Sequence, residues 1–138
     1  MKSFFLLLVA LLSFTFSKAQ SESHAPPSPN DPHEKVFSFV EQNPIFPGGD
    51  AALMKFLQQN INYPKRARRL DIEGKVVVKF IIDENGAITN VQVVKSVDKD
   101  LDAEAIRVVK LLPNFIPGHQ QGKPVKVYFN LPIVFRLK

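Results

Sequence analysis

The chain has 138 residues, with 18 Lys and Arg against 13 Asp and Glu for a formal charge of +5, and no cysteine. That length fits a single domain. The missing cysteines exclude a disulfide framework, a thiolate nucleophile and a lipid-modified N-terminal Cys, and so mild a positive excess makes no case for nucleic acid as a partner.

Residues 1–19 read as a secretory signal peptide. Lys2 precedes a 13-residue apolar run from Phe4 to Phe16, and Ser17-Lys18-Ala19 then places small residues at −3 and −1 of a cut before Gln20. Thirteen residues fall short of the roughly 20 that span a bilayer, so cleavage is expected rather than retention as an anchor. Losing Lys2 and Lys18 and no acid brings the formal charge from +5 to +3. Residues 20–35 (QSESHAPPSPNDPHEK) hold Pro26, Pro27, Pro29 and Pro32 and almost nothing apolar, which describes a disordered or polyproline-like tether. Its reach is about 50 Å at about 3.1 Å per residue. His24 and His33 have no Cys or carboxylate at ligand spacing and read as solvated.

The folded domain is expected over residues 36–138. Val36 to Val40 is a short strand candidate. The run Asn43-Pro44-Ile45-Phe46-Pro47-Gly48-Gly49 forces a turn. Asp50 follows as an N-cap, and Leu53, Phe56, Leu57 and Ile61 form one helical stripe that Tyr63-Pro64 ends. Pro64 suits the first position of a second, short helix carrying Lys65, Arg66, Arg68 and Arg69. Those four cations are a candidate electrostatic patch for an acidic partner, weighed against an ordinary solvated face beside Asp71 and Glu73.

Gly74 opens a strand in which Val76, Val78, Phe80 and Ile82 alternate with Lys75, Val77, Lys79, Ile81 and Asp83. Val77 and Ile81 make the second face partly apolar, so cover is expected there too. Asp83-Glu84-Asn85-Gly86 signals a hairpin through the positive φ that Asn-Gly accepts. The return strand, Ile88 to Val97, changes phase between Ile88 and Val91, which predicts a β-bulge. Asp98 or Asp100 caps a helix with Leu101, Ala105, Ile106, Val108, Val109 and Leu112 on one stripe, acids in its first turn and Lys110 in its last. Pro113 stops it, and a loop with Pro117, Gly118, His119, Gly122 and Pro124 follows; His119, with no acid or Ser near it in sequence, reads as a surface loop residue.

The last stretch alternates strictly. Val125, Val127, Phe129, Leu131, Ile133, Phe135 and Leu137 are apolar, while Lys126, Tyr128, Asn130, Pro132, Val134, Arg136 and Lys138 lie between them. Burial of each apolar side chain yields about 1.5–3 kcal/mol, so seven on one face fix the register. Pro132 makes this an edge-strand candidate, because proline has no N–H for a ladder. With Pro132 on the free side, the even-numbered N–H and C=O groups form an exposed row, which needs protection or recruits a partner strand.

These motifs occur in the order Tyr63-Pro64, Ala67, Gly74-Lys75-Val76-Val77-Val78-Lys79-Phe80, Asn85-Gly86, Leu101-Asp102-Ala103-Glu104-Ala105, Phe115-Ile116-Pro117-Gly118, Gly122-Lys123-Pro124-Val125 and Leu131-Pro132-Ile133-Val134-Phe135. From Pro47 to Leu137 the chain resembles the TonB C-terminal domain, in the small secreted form of Bacteroidetes. The resemblance implies an α+β fold, a small antiparallel sheet of hairpin plus C-terminal strand packed against two helices. It implies a periplasmic, non-enzymatic binding module without cofactor or metal. Its partner would be an outer-membrane TonB-dependent transporter, whose TonB box adds as a strand beside Val125, Lys126, Val127, Tyr128, Phe129, Asn130, Leu131, Pro132 and Ile133, near Tyr63 and Pro64. Phe115 stands where Trp or Tyr is common in the family, a conservative change for packing.

A full TonB has an uncleaved membrane anchor and a long Pro-rich arm; the short tether and the leader without His depart from that. An anchored energy transducer working with an ExbB/ExbD-type motor is therefore the alternative, as is a structural domain that closes its own edge with Val36 to Val40 or pairs edge to edge as a homodimer. An enzyme is disfavoured because the chain has no G-x-S-x-G, H-E-x-x-H or phosphate loop, and the acids Asp100, Asp102 and Glu104 suit a helix's first turn.

Overall fold

The computed structural model describes residues 35–138; the expected leader, and the tether before Lys35 with His24 and His33, lie outside the described residues. The elements in chain order are β1 (Val36–Phe37), α1 (Asp50–Asn60), α2 (Lys65–Arg69), β2 (Gly74–Ile82), β3 (Ile88–Lys95), α3 (Lys99–Lys110), β4 (Gly118–Gln120) and β5 (Lys123–Phe135). The fold is α+β, as expected. The sheet runs β1-β5-β2-β3, with β4 paired to the first residues of β5.

Alternation and helical period put the core where they predict it. Val127, Leu131, Ile133 and Phe135 of β5 and Val76, Val78, Phe80 and Ile82 of β2 are buried on one face. Leu53 and Leu57 of α1, Ala67 of α2, and Leu101, Ala105, Val108 and Val109 of α3 pack with that face, except Val127, in one cluster. Phe115, after α3, sits among Phe46, Phe80 and Phe129 with ring centroids 5.4, 6.2 and 5.4 Å away. Among the described residues no helix covers the opposite sheet face. Ile81 is buried there between its register partners Thr89 and Tyr128, and Val77 is half-buried, so the expected cover comes from neighbouring side chains within the sheet.

The bulge falls as predicted: the β2–β3 register shifts between Lys79 and Ile81, where Asn90 takes a φ of 53°, and again between Val77 and Val78. Asp98 is the cap of α3, its carboxylate accepting from the Asp100 N–H at 2.9 Å. Elsewhere the local chemistry differs from expectation. Gly49, not Asp50, holds the N-cap of α1, and Asp50 is its first helical residue. Pro64 caps α2 in an extended conformation rather than starting it. In the β2–β3 turn only Gly86 has positive φ, because Asp83 Oδ1 accepts from the N–H groups of both Asn85 and Ala87 and fixes the turn itself. Two consecutive positive φ values occur instead in the hairpin turn Gln121-Gly122, which joins β4 to β5, and at Gly48-Gly49 before α1.

The predicted loop before the last strand thus contains β4, and His119 lies in it, its N–H and C=O paired with Gln42. The predicted strand Val36–Val40 is cut to Val36–Phe37. A bend at Ser38-Phe39 carries the chain off to meet β4 at Gln42 and Ile116 at Ile45, which leaves Phe39 90% exposed.

Candidate functional site

β5 is paired along Val127–Phe135 with β2, without a shift from Ile82 to Gly74. That ladder passes through Pro132, which has no N–H to give it. The odd-numbered residues of β5 therefore carry the bonds to β2, and Tyr128, Asn130, Pro132 and Val134 turn their backbone groups to the other flank. On that flank β1 runs parallel to β5 and pairs with Lys126 and Val127 only. Among the described residues nothing pairs with β5 there beyond Val127. Past the pairing with β1 the row carries the backbone groups of Asn130, Pro132 and Val134, and Pro132 has no N–H to offer.

Two tyrosines beside the row have defined contacts. The Lys79 ammonium lies over the Tyr128 ring, 4.2 Å from its centroid. At the Phe135 end the Tyr63 ring meets Phe135 edge-on, centroids 5.8 Å apart, and the Tyr63 hydroxyl donates to the Ile72 carbonyl. Burial raises the Tyr63 hydroxyl above its usual range, Glu73 and Asp71 add to this, and Arg68 opposes it. Next to it a cleft of about 490 Å³ opens between the end of α1 and β5, lined by Ile61, Tyr63 and Arg68 on one side and Val134, Phe135 and Arg136 on the other. No residue of β2 lines this cleft, so it opens on the vacant flank. Among the described residues no group of three or more His, Asp or Glu is placed to hold a metal ion.

A family profile described as "Gram-negative bacterial TonB protein C-terminal" matches residues 59–137, more than half of the chain. The chain belongs to the TonB C-terminal domain family. It is 35% identical over 77 residues to Protein TonB of Helicobacter pylori, covering 55% of this chain and 26% of that protein. It is 38% identical over 47 residues to Protein TonB of Yersinia enterocolitica, covering 34% of this chain and 18% of that one. The chain thus spans about a quarter or less of the curated relatives it matches. Two NMR solution structures of Helicobacter pylori TonB-CTD are also similar, at 27% and 30% identity, covering 62% and 64% of this chain and 78% and 92% of those chains, with TM-scores of 0.48 and 0.49.

The TonB C-terminal profile takes in the vacant row, Tyr63 and the cleft apart from Gln58 and Lys138, and excludes β1. Of the residues expected at the site, Tyr128, Phe129, Asn130, Leu131, Pro132 and Ile133 lie along the vacant stretch, with Leu131 and Ile133 turning their side chains into the core. Val125, Lys126 and Val127 already pair with the chain's own Gly118, Val36 and Phe37. Tyr63 is at the end of the row and Pro64 leads away from it into α2. The four-cation patch is split. Arg66 is taken up by α3, its guanidinium 3.1 Å from Asp98 and 3.0 Å from Asp100, while Arg68 faces the cleft. Val134, Arg136 and Lys138 share the parity of Pro132 and belong to the exposed row expected from sequence; only the fold brings Arg136 and Lys138 to Arg68.

Proposed function

We propose that this TonB C-terminal domain captures an extended segment of an outer-membrane transporter, in the manner of a TonB box, as a strand added beside Tyr128–Phe135. The single observation that carries this is the vacant row: a well-packed strand, paired on one flank, whose other flank is left open between β1 and the Tyr63 cleft. Main-chain bonds to that row supply part of the affinity and the flanking side chains supply selectivity. The N–H missing at Pro132 makes it a weaker lure for indiscriminate edge pairing than an unbroken row. The exported chain, freed of residues 1–19, acts in the periplasm. Among the described residues no helix is long and apolar enough to cross a membrane.

The test is an NMR titration of the chain from Gln20 with peptides taken from transporter N-termini. Shifts should concentrate on Tyr128, Asn130, Val134 and Tyr63. Shifts confined to β3 and α3 would overturn the assignment. Mass spectrometry of the mature N-terminus separates this reading from an anchored energy transducer coupled to an ExbB/ExbD-type motor: a chain beginning at Gln20 supports the former, an intact leader the latter.

A further inference from the structure

The sheet face left without a helix among the described residues collects lysines. Lys75 stands opposite Val134, Lys79 opposite Asn130 and Lys95 opposite Val77, and Lys126 shares the parity of Tyr128, so all four side chains lie on that face. They come from three strands and surround the apolar surface of Val77, Ile81 and Tyr128. Among the described residues none of the four has an ion-pair partner within 4.0 Å. The acids flanking β2 are engaged with backbone. Glu73 accepts from the Leu137 N–H at 2.6 Å, and Asp83 from the N–H groups of Asn85 and Ala87. The two hollows on this face, about 330 Å³ each, are open to solvent.

At the rim beside Lys126 stands Phe39, the most exposed large apolar side chain among the described residues. Val36 lines one hollow together with Lys126, and Phe39, three residues on, lies within about 11 Å of it. The bend that carries Phe39 is held on both sides, by Phe37 beside Val127 and by Gln42 bonded to His119. Its ring is thus displayed from an anchored segment with nothing to bury it.

We propose that this face docks on an anionic phospholipid surface, with the lysines against lipid phosphates and Phe39 in the interface. The inference goes beyond strand addition and does not depend on it. Edge backbone groups point within the plane of the sheet, whereas the lysine side chains stand across that plane, so a domain lying on lipid keeps its vacant row free. An ammonium is a point charge that follows loosely placed phosphates, without the fork by which arginine selects planar acids. Each lysine near an anionic surface adds a modest attraction, and the four sum. Phe39 favours lipid over a soluble acidic partner, because a bilayer supplies an apolar phase for the ring.

The test is co-sedimentation of the chain from Gln20, which lacks the apolar leader, with vesicles of phosphatidylcholine alone or with about 30% phosphatidylglycerol. Partitioning into the anionic vesicles should be at least about tenfold stronger, and the difference should close at about 0.5 M salt. The double variant Lys75→Gln/Lys95→Gln should weaken binding to anionic vesicles about five- to thirtyfold, and Phe39→Ser about tenfold. All three side chains are exposed, so the urea midpoints should match the parent and separate lost binding from lost fold. Equal partitioning into both vesicle types, or partitioning unaltered in either variant, overturns the proposal. So does binding to soluble polyglutamate without binding to vesicles, which would assign the face to an acidic protein instead.

Discussion

At the scale of single residues, Asp98 does two jobs that a reading of α3 alone would assign to one. It caps the helix through the Asp100 N–H and it holds the Arg66 guanidinium, tying α2 to α3. Burial pushes its carboxyl up, but Arg66 and the N–H groups of Asp100 and Leu101 outweigh this and hold it below the ordinary 3.8. A carboxyl depressed in the folded state stabilises the fold fully above its unfolded value, and that contribution is lost as pH falls through the lower folded value. The same holds for Glu104, raised by burial but held down by Arg107 and the Asn62 N–H. Urea denaturation of Asp98→Asn should therefore show lower stability at pH 7 and a shallower loss below pH 4 than the parent chain. An acid limb of unchanged slope would mean that the Arg66 pair contributes nothing. Pro132 is the other residue-scale device, one missing N–H in the middle of an open row. Pro132→Val restores it, and sedimentation at rising concentration should show more self-association than in the parent.

At the scale of elements, the β2–β3 hairpin is pinned to the segment after α3. The Gly86 carbonyl accepts from the Phe115 N–H at 2.8 Å, and a Cβ on Gly86 would stand 1.8 Å from the Phe115 carbonyl oxygen. With φ at +82° as well, Gly86→Ala should cost more than the ~1–2 kcal/mol of a left-handed L-residue alone, because the hairpin or the Phe115 segment must move. Phe115→Ala removes the ring that joins Phe46, Phe80 and Phe129, and should cost about 3–5 kcal/mol. Urea midpoints at constant m-value check both. A Gly86→Ala loss within ~1 kcal/mol would show that the backbones separate easily.

At the scale of the whole molecule, β5 joins most of the strands: β2 on one flank, β1 and the vacancy on the other, β4 at its start, with β3 attached through β2. The two residues of β1 set the length of the vacancy. A chain beginning at Ser38 should accept peptides two residues longer at the Val127 end, seen as new NMR shifts at Lys126; if Lys126 stays unshifted, β1 is not what bounds the row.

Strong local periodicity was readable in advance. The alternation of β2 and β5, the stripe of α3, its cap at Asp98 or Asp100 and the bulge near Asn90 all follow from interactions within a few residues, where propensity and pattern act directly. Pro132 even marked which parity of β5 faces outward, since a missing N–H is a property of the residue itself. What the tertiary structure alone decided depends on residues far apart in sequence. The three residues of β4 have no pattern of their own and form because Gln121-Gly122 can turn and Gln42 can pair with His119. The parallel seat of β1 on Lys126, the loss of Arg66 to Asp98 and Asp100, and the meeting of Arg68 with Arg136 and Lys138 each join segments more than thirty residues apart. No local preference encodes such meetings; they exist only once burial of the shared core has brought the segments together.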